Sequence, residues 1–77
     1  MVGRRYFISG RVQGVGFRYF AARAAREIGV TALPRNLDDG RVEVLANGTM
    51  AQLAEYEARL RQGPPRADVR GFEVQEV

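Results

Sequence analysis

The apolar residues of this chain change period in a set order, and that order limits the fold more than any other feature. From Tyr6 to Val12 they alternate, with Tyr6, Ile8 and Val12 on one side and Phe7 and Ser9 on the other. A period of two is that of a strand. After Gln13-Gly14-Val15-Gly16 the period lengthens. Phe17, Phe20, Ala21, Ala24 and Ile28 fall on one helical stripe in an alanine-rich run, and Gly29 stands where a C′ glycine would. Val30 to Leu37 reads as a second strand. Pro34 inside it cannot donate to a ladder, which predicts a place at the sheet edge.

Asp38-Asp39-Gly40 is a tight hairpin signal, followed by a third strand from Arg41 to Ala46 with Val42 and Val44 facing one way and Asn47-Gly48 ending it. Thr49 and Gln52 have the spacing of a capping box. It opens a second helix that runs to about Arg61, with Leu53, Tyr56 and Leu60 on its apolar face. Glu55 with Arg59, and Glu57 with Arg61, are i,i+4 pairs along it. Gly63-Pro64-Pro65 stops that helix. A last strand runs from Val69 to Val77, with Phe72 and Val74 its clearest apolar positions.

The order β-α-β-β-α-β predicts an α+β, ferredoxin-like sandwich: one antiparallel sheet with two helices on one face. With 77 residues the chain has room for one domain, residues 1–77, and no second core. No stretch approaches the roughly 20 apolar residues of a membrane span. The basic start Met1-Val2-Gly3-Arg4-Arg5 is followed by no apolar segment of the signal-peptide kind.

Composition then narrows the chemistry. All 12 basic residues are arginine, and the chain holds no lysine, histidine or cysteine. Schiff-base chemistry, histidine-dependent triads, zinc fingers, thiol nucleophiles and disulfides are excluded. What remains is a catalyst built of backbone, guanidinium and amide groups, or no catalyst. A net charge of +3 favours anions without pointing to a polyanion in particular. The lack of cysteine fits a reducing, cytoplasmic setting.

The segment with most chemical content is Gly10-Arg11-Val12-Gln13-Gly14-Val15-Gly16-Phe17-Arg18, a glycine-rich turn feeding a helix N-terminus. Glycines let successive amides turn toward one point and form a concave nest for an anion. The helix end adds roughly half a positive charge, and Arg18 adds a planar charged fork suited to phosphate oxygens. On the residues alone, a plain turn and an anion site are equally open readings. No Gly-Lys-Ser/Thr follows, and no third spaced glycine, so neither phosphate-loop template applies. Asn36 reads as a turn asparagine or as a functional amide. Adjacent strand residues point to opposite faces, so Asp38 and Asp39 read as turn residues and not as a metal or acid–base pair.

The run Ile8-Ser9-Gly10-Arg11-Val12-Gln13-Gly14-Val15-Gly16-Phe17-Arg18 resembles the first signature of the acylphosphatases. Arg35-Asn36, then Gly40, Val42 and Gly48, resemble the second. Gly63-Pro64-Pro65 with Ala67 and Val69 resembles the approach to the family's last long strand, so the likeness spans about Arg4 to Val74. It implies the same βαββαβ fold and hydrolysis of acyl phosphates to a carboxylate and inorganic phosphate. It assigns the phosphate to the amides of Gln13, Gly14, Val15, Gly16, Phe17 and Arg18 and to the Arg18 guanidinium, and the attacking water to the Asn36 side chain. No metal or cofactor is implied. The expected partner is a small acyl phosphate, with inorganic phosphate or similar anions as product or inhibitor. Neither a membrane nor nucleic acid is expected, and the protein is expected to be a monomer.

Two departures stand out. Where the family has glycine, an aromatic and a small apolar residue before Arg-Asn, this chain has Ala32, Leu33 and Pro34. Family members also continue past the position of Val77 into a short strand beside strand 2, so strand 2 is expected to be a bare edge that Pro34 guards against pairing.

Elementary chemistry supports the implied reaction. The leaving group is a carboxylate whose conjugate acid has a pKa near ~4, so it departs without protonation. Phosphoryl transfer through a loose transition state asks mainly for positioning and charge stabilisation. Two other readings use the same fold: an anion-binding regulatory domain without turnover, and an RNA-binding module. The latter stacks bases on aromatics of the central strands, whereas Arg41-Val42-Glu43-Val44-Leu45 has none and carries Glu43 in the middle.

Overall fold

A computed structural model describes residues 1–77. The elements are β1 (Val2–Arg11), α1 (Phe17–Ile28), β2 (Thr31–Asn36), β3 (Val42–Gly48), α2 (Met50–Gln62) and β4 (Asp68–Glu76). The four strands form one antiparallel sheet in the order β2-β3-β1-β4. Tyr6 and Ile8 of β1 and Val42, Val44 and Ala46 of β3 project from one face of this sheet. They join Phe17, Ala21, Ala24 and Ala25 of α1 and Leu53, Tyr56 and Leu60 of α2 in one buried cluster. Both helices therefore cover the same face, as the sequence order requires.

Local chemistry explains most element ends. Gly29 closes α1, its N–H donating to the Ala25 carbonyl at 2.8 Å. The capping box at the start of α2 is complete: the Gln52 N–H donates to Thr49 Oγ1 at 3.1 Å, and the Thr49 N–H donates to Gln52 Oε1 at 3.0 Å. β2 is an edge strand, as Pro34 demands, and it pairs with β3 without interruption from Thr31↔Asn47 to Asn36↔Val42. The β2–β3 turn closes through Asp38, Asp39 and Gly40, with Leu37 N–H donating to the Arg41 carbonyl at 2.8 Å.

Several boundaries and contacts differ from the sequence-based expectation. β1 begins at Val2, four residues before Tyr6, because Val2 to Arg5 pair with Gly48 to Leu45. Arg4 occupies a helix-side position there and snorkels to Glu57 of α2 and Glu76 of β4, both at 3.3 Å. A guanidinium at an inward position hides the alternation. Of the two i,i+4 pairs, Arg61–Glu57 forms at 3.6 Å, whereas Arg59 turns away from Glu55 and pairs with Glu27 of α1 at 2.8 Å. Arg59 and Arg23 together hold the Glu27 carboxyl below its ordinary pKa. On α1, Ala25 is buried, whereas Phe20 and Ile28 of the expected stripe are only half-buried.

Candidate active site

The site begins at an irregularity in β1. Between Ser9 and Gly10 the register with β4 shifts, and Gly10 has φ 118°. A Cβ added at Gly10 would meet the backbone of Asp68 and Arg70, so only glycine lets β1 and β4 approach here. This bulge re-aims the chain as it leaves the sheet. Val12, just past the strand, is buried, and the chain then turns through Gly14 (φ 74°) and Gly16 (φ 81°) into α1.

Gly16 is the N-cap of α1 and has no side chain to occupy the first amides, and the first turn carries no acidic residue. The first cap bond is Phe20 N–H to the Gly16 carbonyl at 3.0 Å, and no N–H from Gln13 to Tyr19 has an acceptor within the chain. A row of unpaired amides at a helix N-terminus favours an anion. Phe17 anchors the turn: it is buried and rests on Gly63, where an added Cβ would come within 3.1 Å of the ring.

These amides line a cleft of about 190 Å³ bounded by Val12, Gly14, Gly16, Phe17, Arg18, Tyr19 and Asn36. That is smaller than the roughly 300 Å³ at which drug-sized ligand sites begin, and suits a small anion. Arg18 is its single charged lining residue and takes part in none of the chain's ion pairs. Asn36 reaches the cleft as the last residue of β2, where Asn36↔Val42 ends the ladder with β3. The pairing of Pro34 with Val44 leaves Asn36 in register.

Of the sequence-predicted site residues, Gly14, Gly16, Phe17, Arg18 and Asn36 meet at this cleft. Val15 instead packs against the core. The Gln13 side chain leaves the loop: its Nε2 donates to the carbonyls of Leu37 at 2.8 Å and Arg41 at 3.0 Å, at the neck of the β2–β3 turn. Val12, inside the signature run but given no role by it, and Tyr19, 68% exposed and just beyond that run, complete the rim. Asp39 behaves as a turn residue. It accepts from the Arg41 N–H at 3.1 Å and the Arg41 guanidinium at 2.8 Å, and these two contacts hold its carboxyl below the ordinary range.

A second cavity, about 280 Å³, lies on the open sheet face between Arg5, Leu33, Arg35, Glu43 and Leu45. Neither of its guanidiniums is free of an ion pair, because Arg35 at 2.6 Å and Arg5 at 3.5 Å share the carboxylate of Glu43. The two cavities differ in that respect: only the loop cleft combines unpaired amides, an unpaired guanidinium and a carboxamide. That set can hold a small dianion and a water.

The family model described as Acylphosphatase matches residues 4–77. An acylphosphatase of Solibacter usitatus is 56% identical over 74 residues, covering 96% of this chain and 77% of that protein. An acylphosphatase of Archaeoglobus fulgidus is 46% identical over 77 residues, covering 100% of this chain and 86% of that protein. The crystal structure of an acylphosphatase from Bacillus subtilis superposes with a TM-score of 0.97 at 39% identity, over 100% of this chain and 86% of that one.

Proposed function

The chain belongs to the acylphosphatase family and hydrolyses acyl phosphates, and we propose that it does so by attack of a water held by Asn36 on a phosphate gripped by Arg18 and the Gln13–Arg18 amides. The observation that supports this reading is the meeting of Arg18 and Asn36 on one small cleft whose lining carries no carboxylate. A dianion there meets only positive charge: unpaired amides, the helix end and a guanidinium.

The proposed sequence of events is short. The amides of Gln13 to Arg18 take the phosphate oxygens, and the Arg18 fork holds two more lone pairs. The Asn36 carboxamide orients a water in line with the phosphorus–acyl oxygen bond. As that bond loosens, charge on the equatorial oxygens grows against donors already in place, which costs no reorganisation at the moment of reaction. The carboxylate leaves unprotonated, so the lack of a general acid is no handicap. No metal or cofactor takes part in this scheme. Phosphate monoesters, with far more basic leaving groups, should be poor substrates at the same site.

We further infer a monomer working in the cytoplasm. Pro34 and Arg35 on the exposed edge of β2 disfavour edge pairing, and the cysteine-free composition fits a reducing compartment. No helix is long and apolar enough to cross a membrane.

Steady-state turnover of acetyl phosphate with and without a chelator, beside an alkyl phosphate monoester, tests the mechanism. The scheme expects chelator-independent turnover of acetyl phosphate and little of the ester. Loss of activity on chelation, or equal rates on both substrates, would overturn it.

A further inference from the structure

We propose that Gln13 is a positioning residue whose side chain locks Asn36 to the phosphate loop. The inference rests on the water-holding role given to Asn36 and adds what holds that residue still. The Gln13 amide nitrogen has two hydrogens and donates both, to Leu37 O at 2.8 Å and Arg41 O at 3.0 Å. Leu37 directly follows Asn36, and Arg41 directly precedes Val42, the register partner of Asn36. The amide therefore grips the hairpin on both strands, one residue beyond the pair that carries the water-holding side chain.

Each gripped carbonyl also serves the turn itself. Arg41 O accepts from Leu37 N–H at 2.8 Å, and Leu37 O accepts from Gly40 N–H at 3.2 Å. The four bonds form one closed node joining the β1–α1 loop to the β2–β3 turn. β2 gains from such a tie, because it is a sheet edge whose only strand partner is β3. Arg18 and Asn36 come from opposite sides of this node, so their separation across the cleft depends on it. Displacement by about 1 Å can cost up to a hundredfold in rate.

A double-mutant cycle of Gln13→Met and Asn36→Ala on the full chain, read by acetyl phosphate turnover and by competitive inhibition with inorganic phosphate, tests the assignment. Gln13→Met keeps length and removes both donors. It should lower kcat on the order of tenfold or more, with phosphate inhibition changed less than about twofold, because backbone amides and Arg18 still hold the anion. In the Asn36→Ala background the same change should cost less than about twofold, since residues acting as a unit are not additive. Equal losses in both backgrounds would overturn the role of Gln13 while leaving that of Asn36 intact. Weaker phosphate inhibition in Gln13→Met would overturn it too, by making the side chain part of the anion site. Full activity in Asn36→Ala alone would remove the premise and the proposal together. Thermal unfolding checks each variant. If Gln13→Met does not fold, Gln13→Leu, which is also neutral and lacks both donors, carries the same expectations.

Discussion

The Tyr56 hydroxyl of α2 donates to the Ala21 carbonyl of α1 at 2.9 Å, in the fully buried layer between the helices and the sheet. This bond joins the helix that carries Arg18 to its neighbour. Burial, and secondarily the nearby Tyr6, pushes the Tyr56 phenol well above its ordinary range. A raised folded-state pKa stabilises the fold fully below the unfolded value near ~10, and the contribution is lost as pH rises through the folded value. The wild type should therefore lose stability above about pH 10. Tyr56→Phe should cost about 1 kcal/mol at pH 7 and flatten that alkaline loss. Urea unfolding across pH 7 to 11 on both proteins checks the two statements.

Gly10 sits at the β1–β4 bulge with φ 118°, and an added Cβ would press on the backbone of Asp68 and Arg70. Backbone cannot step aside as a side chain can. Gly10→Ala should destabilise by about 1–3 kcal/mol. Gly14 has open space around it, so Gly14→Ala should carry only the left-handed backbone cost of about 1–2 kcal/mol. If overcrowding matters, chemical denaturation will place Gly10→Ala below Gly14→Ala.

Pro34 lies in an edge strand whose other neighbours are exposed: Leu33 is 68% exposed on the open sheet face, and Arg35 is exposed as well. Pro34→Val restores an N–H and a β-forming side chain to that edge. It should raise self-association, seen as a concentration-dependent shift in sedimentation. Unchanged sedimentation at high concentration would remove the guard role of Pro34.

Much of this architecture is legible in local chemistry. Pro34 announces an edge, Thr49 and Gln52 a capped helix, Gly29 a helix end, and the Gly10–Arg18 run a glycine turn that feeds a helix. What escapes is set by distance along the chain. Gln13 binds carbonyls of residues 24 and 28 positions away, and a backbone carbonyl leaves no mark in a sequence. Arg59 pairs with Glu27 on another helix over Glu55 on its own, a choice that depends on how α1 and α2 pack. Arg4 conceals the start of β1 because its charged end reaches Glu57 and Glu76 from an inward position. Tyr19 and Val12 join the cleft rim through the shape of the turn, which spacing alone does not describe.

The division of labour between Arg18 and Asn36 is the core of the account, and steady-state kinetics of Arg18→Gln and Asn36→Ala on acetyl phosphate, with inorganic phosphate as inhibitor, tests it most directly. Each variant should lose about a hundredfold in kcat/KM, the scale of one missing transition-state donor. Arg18→Gln should also weaken phosphate inhibition, while Asn36→Ala should leave it as in the wild type. Wild-type kcat in Asn36→Ala, or undiminished phosphate inhibition in Arg18→Gln, would contradict the assignment.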